Sequence, residues 1–149
     1  MEENKQEYSN MTDKASPPSK VLKNSIMAFL IGGLICTIGQ GITNFFSNTG
    51  MEIKDARAST SIILVFLGAF LTALGVYDNI AKVAGAGTLV PITGFANSIV
   101  APAIEFKSEG YIMGLGAKMF IIAGPVLVYG ITSSIVYGII LAIIKLFTT

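Results

Sequence analysis

Side chains that can do chemistry are sparse in the apolar part of this sequence, and most of them gather in residues 82–110, KVAGAGTLVPITGFANSIVAPAIEFKSEG. Thr93, Asn97 and Ser98 can offer hydrogen bonds to a polar solute along one wall. Lys107 stands two residues from both Glu105 and Glu109. It either lies in a solvated turn or faces an anion while the carboxylates restrain it or meet a cation. Glycines 85, 87 and 94 and prolines 91 and 102 each weaken or bend a helix in the same stretch, with Pro91 and Gly94 expected to set the break. Freed backbone groups are tolerated at membrane depth only where protein buries them or a watery cavity meets them, so a broken apolar segment is a candidate wall or gate of a solute path. A half-helix beginning inside a membrane also turns unpaired N–H groups toward an anionic solute.

Other polar groups are secondary candidates. Gln40 lies within an apolar run, where an amide is either glue between helices or the lining of a path. Asp78 follows an apolar run and is either a solvated interfacial carboxylate or a partner for Lys82, four residues on.

The composition decides which elements can position these groups. Of 149 residues, 52% are hydrophobic and only 13% charged, with a mean hydropathy of +0.70, which marks an all-α integral membrane protein. A net charge of +1 and no basic stripe give no case for nucleic acid. Histidine is absent, so imidazole-based catalysis and histidine zinc sites are excluded, and no nucleophile motif appears. The chain reads as a non-enzyme without a metal site or cofactor. Its one cysteine, Cys36, rules out an internal disulfide and reads as a small buried hydrophobe.

Residues 1–24 form a polar tail whose charges nearly cancel and which includes Ser16-Pro17-Pro18-Ser19. Residues 25–46 are long enough to span, and Gly32, Gly33, Gly39 and Gly41 give that helix small faces for close packing. A second span is expected over 59–77, and its Gly68-x-x-x-Thr72 echoes Gly33-x-x-x-Thr37. The broken segment follows over 82–104 and the last helix over 119–146, with Gly114-x-Gly116 and Gly124-Pro125 as interruptions. With no tryptophan, the aromatic belt falls to Phe45, Phe46, Tyr77, Tyr111 and Phe147. Residues 130–136 share four identities with residues 94–100, a short echo that leaves an internal repeat open.

Lysines and arginines leave the topology open. Four crossings divide them evenly, with Lys20, Lys23, Lys82 and Lys145 on one side and Lys54, Arg57, Lys107 and Lys118 on the other. A broken segment that re-enters moves Lys107 and Lys118 to the tail's side and makes the count five against three, favouring a hairpin that does not cross.

GGLICTIGQG at 32–41, GVYD at 75–78, AGAGTLVPITGFANS at 84–98 and EFKSEG at 105–110 lie in the order found in the stage V sporulation protein A family of endospore-forming bacteria. The chain resembles its AC branch more than its AEb branch, which usually has Ser-Phe-Gly-Asn where this chain has Gly94-Phe95-Ala96-Asn97. The resemblance implies a channel or conduit subunit in the inner spore membrane, and because three or four membrane elements are too few to enclose a path for a ring-containing solute, an oligomer is expected. Its solute would be dipicolinic acid, with calcium, moved into the forespore during sporulation and out at germination. An AEb-type paralogue and a soluble AD-type subunit are the implied partners, with membrane lipid around them. The alternatives are a scaffold that anchors partners without lining the path, or an AEb-type subunit of the same complex. The resemblance supplies no catalytic residues.

Overall fold

The computed structural model describes Tyr8, Met11, Thr12 and residues 19–148, of which Thr148 is described in its backbone alone. The polar tail expected over 1–24 therefore lies mostly outside the described residues. Every element from residue 19 onward is helical.

Helix α1, Val21–Asn48, has 28 residues, about 42 Å at 1.5 Å per residue. Helix α2, Ile53–Ala73, returns antiparallel to it. The Thr43 and Thr60 hydroxyls meet at 2.9 Å, and one turn further in Gly39 leaves room for Leu64, whose Cδ1 lies 3.2 Å from where a Cβ would stand. The second span was expected over 59–77, but its helix starts six residues earlier and ends four earlier. Gly75, at φ +69°, closes α2 with hydrogen bonds from its own N–H to Thr72 O and from Val76 N–H to Leu71 O. That pairing is a Schellman stop, which needs a residue tolerant of left-handed backbone.

Three short helices follow: α3, Tyr77–Ala84, α4, Ala86–Leu89, and α5, Ile92–Glu105. Gly85 separates the first two at φ +51°, and Pro91 separates the last two with an extended ψ of 156°. Pro102, expected to weaken the segment as well, lies inside a continuous α5. A 3₁₀ turn at Phe106–Glu109 and a π-helical turn at Tyr111–Gly116 lead into α6, Ala117–Thr148. The Gly114-x-Gly116 interruption is thus present as a π turn, whereas Pro125 leaves α6 unbroken.

Helices α1, α2 and the run Tyr111–Phe147 are each long and apolar enough to cross a membrane. The broken segment instead forms a hairpin. Running inward, α4 passes α1 with Gly87 against Ala28 and Gly32, and a shared hollow carries it on to Val90 and Pro91 beside Cys36. Helix α5 then runs outward parallel to α2, Thr93 meeting Gly68 and Asn97 meeting Thr72 four residues later. The segment enters and leaves at the end of the bundle where α1 starts, with its tip near the midpoint of α1. With 14 residues, α5 is about 21 Å long, short of the roughly 30 Å of a hydrocarbon core.

Candidate functional site

The hairpin is held by hydroxyls and by glycines without side chains. Tyr77, 3% exposed, turns inward from the start of α3. Its phenolic oxygen lies 3.0 Å from the carbonyl of Thr88 in α4 and 3.0 Å from Oγ1 of Thr93 in α5. It donates its one proton to the carbonyl and accepts from Thr93, which joins both arms of the hairpin through one oxygen. Thr72 makes the second link, with Oγ1 2.7 Å from Gly68 O and 2.8 Å from Oδ1 of Asn97. One hydroxyl proton cannot serve two acceptors. When it goes to Gly68, the Asn97 amide, turned by half a rotation, donates to Thr72 instead.

Backbones touch where glycines allow it. A Cβ on Gly68 would stand 2.8 Å from Thr93 O. One on Gly87 would strike the backbone of Ala28, and one on Gly94 would strike the carbonyl of Thr88. The arms therefore approach as closely as bare backbone permits, the way helices associate where no hydrophobic force separates protein from lipid.

Among the expected path residues, Thr93, Gly94 and Asn97 converge here, with Thr93 and Gly94 buried. Pro91 sits half-buried at the tip, and Ser98 folds its hydroxyl back onto Phe95 O at 2.8 Å. Lys107, Glu105 and Glu109 lie exposed around the 3₁₀ turn, outside this cluster, and no ion pair joins Lys107 to either carboxylate. Lys118 instead lies over the ring of Phe106, 4.5 Å from its centroid. Asp78 is exposed and does not hold Lys82, whose ammonium donates to Asn79 Oδ1 at 3.5 Å. Gln40 is exposed on α1 and donates to Asn44 Oδ1 at 2.8 Å.

Several expectations are corrected. Cys36 is exposed rather than buried. Tyr77 is an inward-facing clasp, not part of an aromatic belt. On α1, Gly32 and Gly39 pack closely while Gly33 and Gly41 face open space, and Thr37 is exposed, so only the Gly68–Thr72 member of the echoed pair forms a seam. The echo at 130–136 has no structural counterpart, since Gly130 stands in open space within α6 while Gly94 is pressed against Thr88. Tyr77, Thr88 and Thr72 were not expected at the site. The recurrence of Gly-x-x-x-Thr was a faint signal for Thr72, and nothing local signalled Thr88.

The profile of the family described as SpoVAC/SpoVAEB sporulation membrane protein matches residues 24–140. The chain is also 42% identical over 137 residues to Stage V sporulation protein AC of Bacillus subtilis (strain 168), covering 91% of each. No solved structure matches it. The matched region contains α2, the clasp and the whole hairpin, and with three apolar helices long enough to span, the chain belongs to the SpoVAC/SpoVAEB family of sporulation membrane proteins.

Proposed function

We propose that this chain is a conduit subunit for dipicolinic acid, moved with calcium into the forespore during sporulation and out at germination, in the inner spore membrane. An AEb-type paralogue and a soluble AD-type subunit are its proposed partners. The reading is carried by the hairpin, whose tip reaches the middle of the bundle without crossing it. Its α5 arm begins there after Pro91, so the first N–H groups of a half-helix point inward at membrane depth, where they suit a carboxylate. A half-crossing segment is also the kind of element that can open a path by moving without unfolding a span.

A second reading, a scaffold that lines no path, is favoured by one observation: the hydroxyls of Tyr77 and Thr93 satisfy each other and Thr88. One experiment separates the two. Vesicles loaded with dipicolinate and carrying the AEb-type paralogue are compared with and without this chain. The conduit reading expects release to depend on the chain. It also expects Asn97→Leu, which removes the part-buried link to Thr72, to change the rate about tenfold, the factor matching the roughly 1.4 kcal/mol at the upper end for one hydrogen bond. Lys107→Glu, on the exposed turn, should leave release near the parent's. Equal release without the chain would establish the scaffold.

A further inference from the structure

The hairpin fills only half of the seam between α1 and α2. Below its tip lies a groove of about 290 Å³, floored by the seam and roofed by Pro91 and Ile92, close to the lower end of small-molecule sites. Its walls carry Cys36, Gln40, Arg57 and Ser61 as well as the paired Thr43 and Thr60. The groove on the other flank of the same two helices, about 240 Å³, is lined by Ile31, Leu34, Ile38, Leu67 and Leu71 among others and carries no charge. Tyr77 and Thr93 also line it, but their hydroxyls are spent on the clasp, so polar groups free to meet a solute collect on the first flank.

Arg57 is the one charged residue of the polar groove. Glu52, Lys54 and Asp55, on the same end of the bundle, do not line it, and no carboxylate pairs with Arg57 among the described residues. Gln40 gives one amide N–H to Asn44 and keeps a second. A guanidinium and an amide N–H lining one groove are donors that suit a carboxylate.

We propose that this groove is a water-filled half-channel that binds a small carboxylate anion, with Arg57 at its mouth, Gln40 along its wall and the hairpin tip as its closed end. It deepens the conduit reading, resting on that reading for the identity of the solute, by supplying the half of the route that the hairpin does not span. The phosphate of an anionic lipid headgroup shares the chemistry, and the test separates it from a free anion.

Cys36 is a reporter already in place. A thiol reacts as its thiolate, which requires water. The full-length chain in phosphatidylcholine vesicles is treated, from the side of the α1–α2 loop, with membrane-impermeant thiosulfonates bearing either a sulfonate or a trimethylammonium group. The expected result is modification of Cys36, faster by the sulfonate and slowed by dipicolinate. Arg57→Gln should lower the sulfonate-to-ammonium rate ratio about tenfold. Arg57→Lys and Lys54→Gln should preserve it. Inertness of Cys36 to both reagents, no protection by dipicolinate, or a ratio unchanged in Arg57→Gln overturns the half-channel. So does an Arg57 effect seen only when phosphatidylglycerol is added, which assigns the arginine to lipid. None of these readouts needs flux. A reactive, Arg57-dependent Cys36 without chain-dependent release would overturn the conduit reading and leave the anion groove standing.

Discussion

Tyr77 shows how much one oxygen can hold at membrane depth. Thr88 is 1% exposed and Thr93 7%, so their polar atoms have no solvent to fall back on once the phenol is gone. Tyr77→Phe is expected to cost about 1–3 kcal/mol, the penalty of leaving buried groups unsatisfied, and to lower the thermal midpoint in detergent micelles. Adding Thr93→Val should cost less than the sum of the two single changes, because the pair then buries one polar group fewer. Equal midpoints for parent and Tyr77→Phe would remove the clasp from the account. The inward direction of Tyr77 was not legible in the sequence. A tyrosine at the end of an apolar run ordinarily sits in the aromatic belt, and it faces inward here only because α2 stops at Ala73 and Tyr77 opens a separate helix.

At the scale of the element, the break was legible and its shape was only half so. Gly85 and Pro91 announce themselves through backbone chemistry, whereas Pro102 and Pro125 carry the same signal and sit in unbroken helices. The difference is tertiary. At Pro91 the chain must reverse direction between α1 and α2, while at Pro102 and Pro125 the helix meets no obstacle and need only forgo a hydrogen bond. The close approaches at Gly68, Gly87 and Gly94 were equally hidden, since a glycine against a backbone and a glycine in open space, such as Gly33, look alike in sequence. The excess of basic residues on one side pointed toward the hairpin but could not exclude four crossings. Single cysteines at Lys82 and at Lys107, each in a Cys36→Ser background, should both react with an impermeant maleimide from the side that holds the start of α1. Labelling from opposite sides would mean that the segment crosses, and the parallel run of α5 beside α2 would then be wrong.

In the whole molecule, the last helix packs against α5 and the π turn through its start alone, and most of its length beyond that is exposed. Among the described side chains of α6, Ala123 is the last that is buried, and from Val126 to Phe147 the apolar side chains of the helix are exposed. Exposure alone is no argument in a chain bounded by lipid, which is as apolar as these side chains. The geometry of the path is the stronger one. Among the described residues, the hollow of about 240 Å³ beside α1 and α2 and that of about 480 Å³ along α6 are open to the surface. Three helices long enough to span and a hairpin that reaches halfway can supply one wall of a conduit, so the rest must come from other subunits related by a closed symmetry or from the paralogue. A contact through α6 should recur at helical spacing. Cysteines placed singly from Val126 to Ile139 in the Cys36→Ser chain are expected to cross-link to a neighbouring subunit in a pattern repeating every three or four positions. Gly130 and Ser134, small residues facing the hollow along α6, should fall on the reactive face. Cross-linking at none of these positions, with the chain running as a 15.7 kDa monomer in mild detergent, would leave α6 facing lipid and return the search for the second wall to α1.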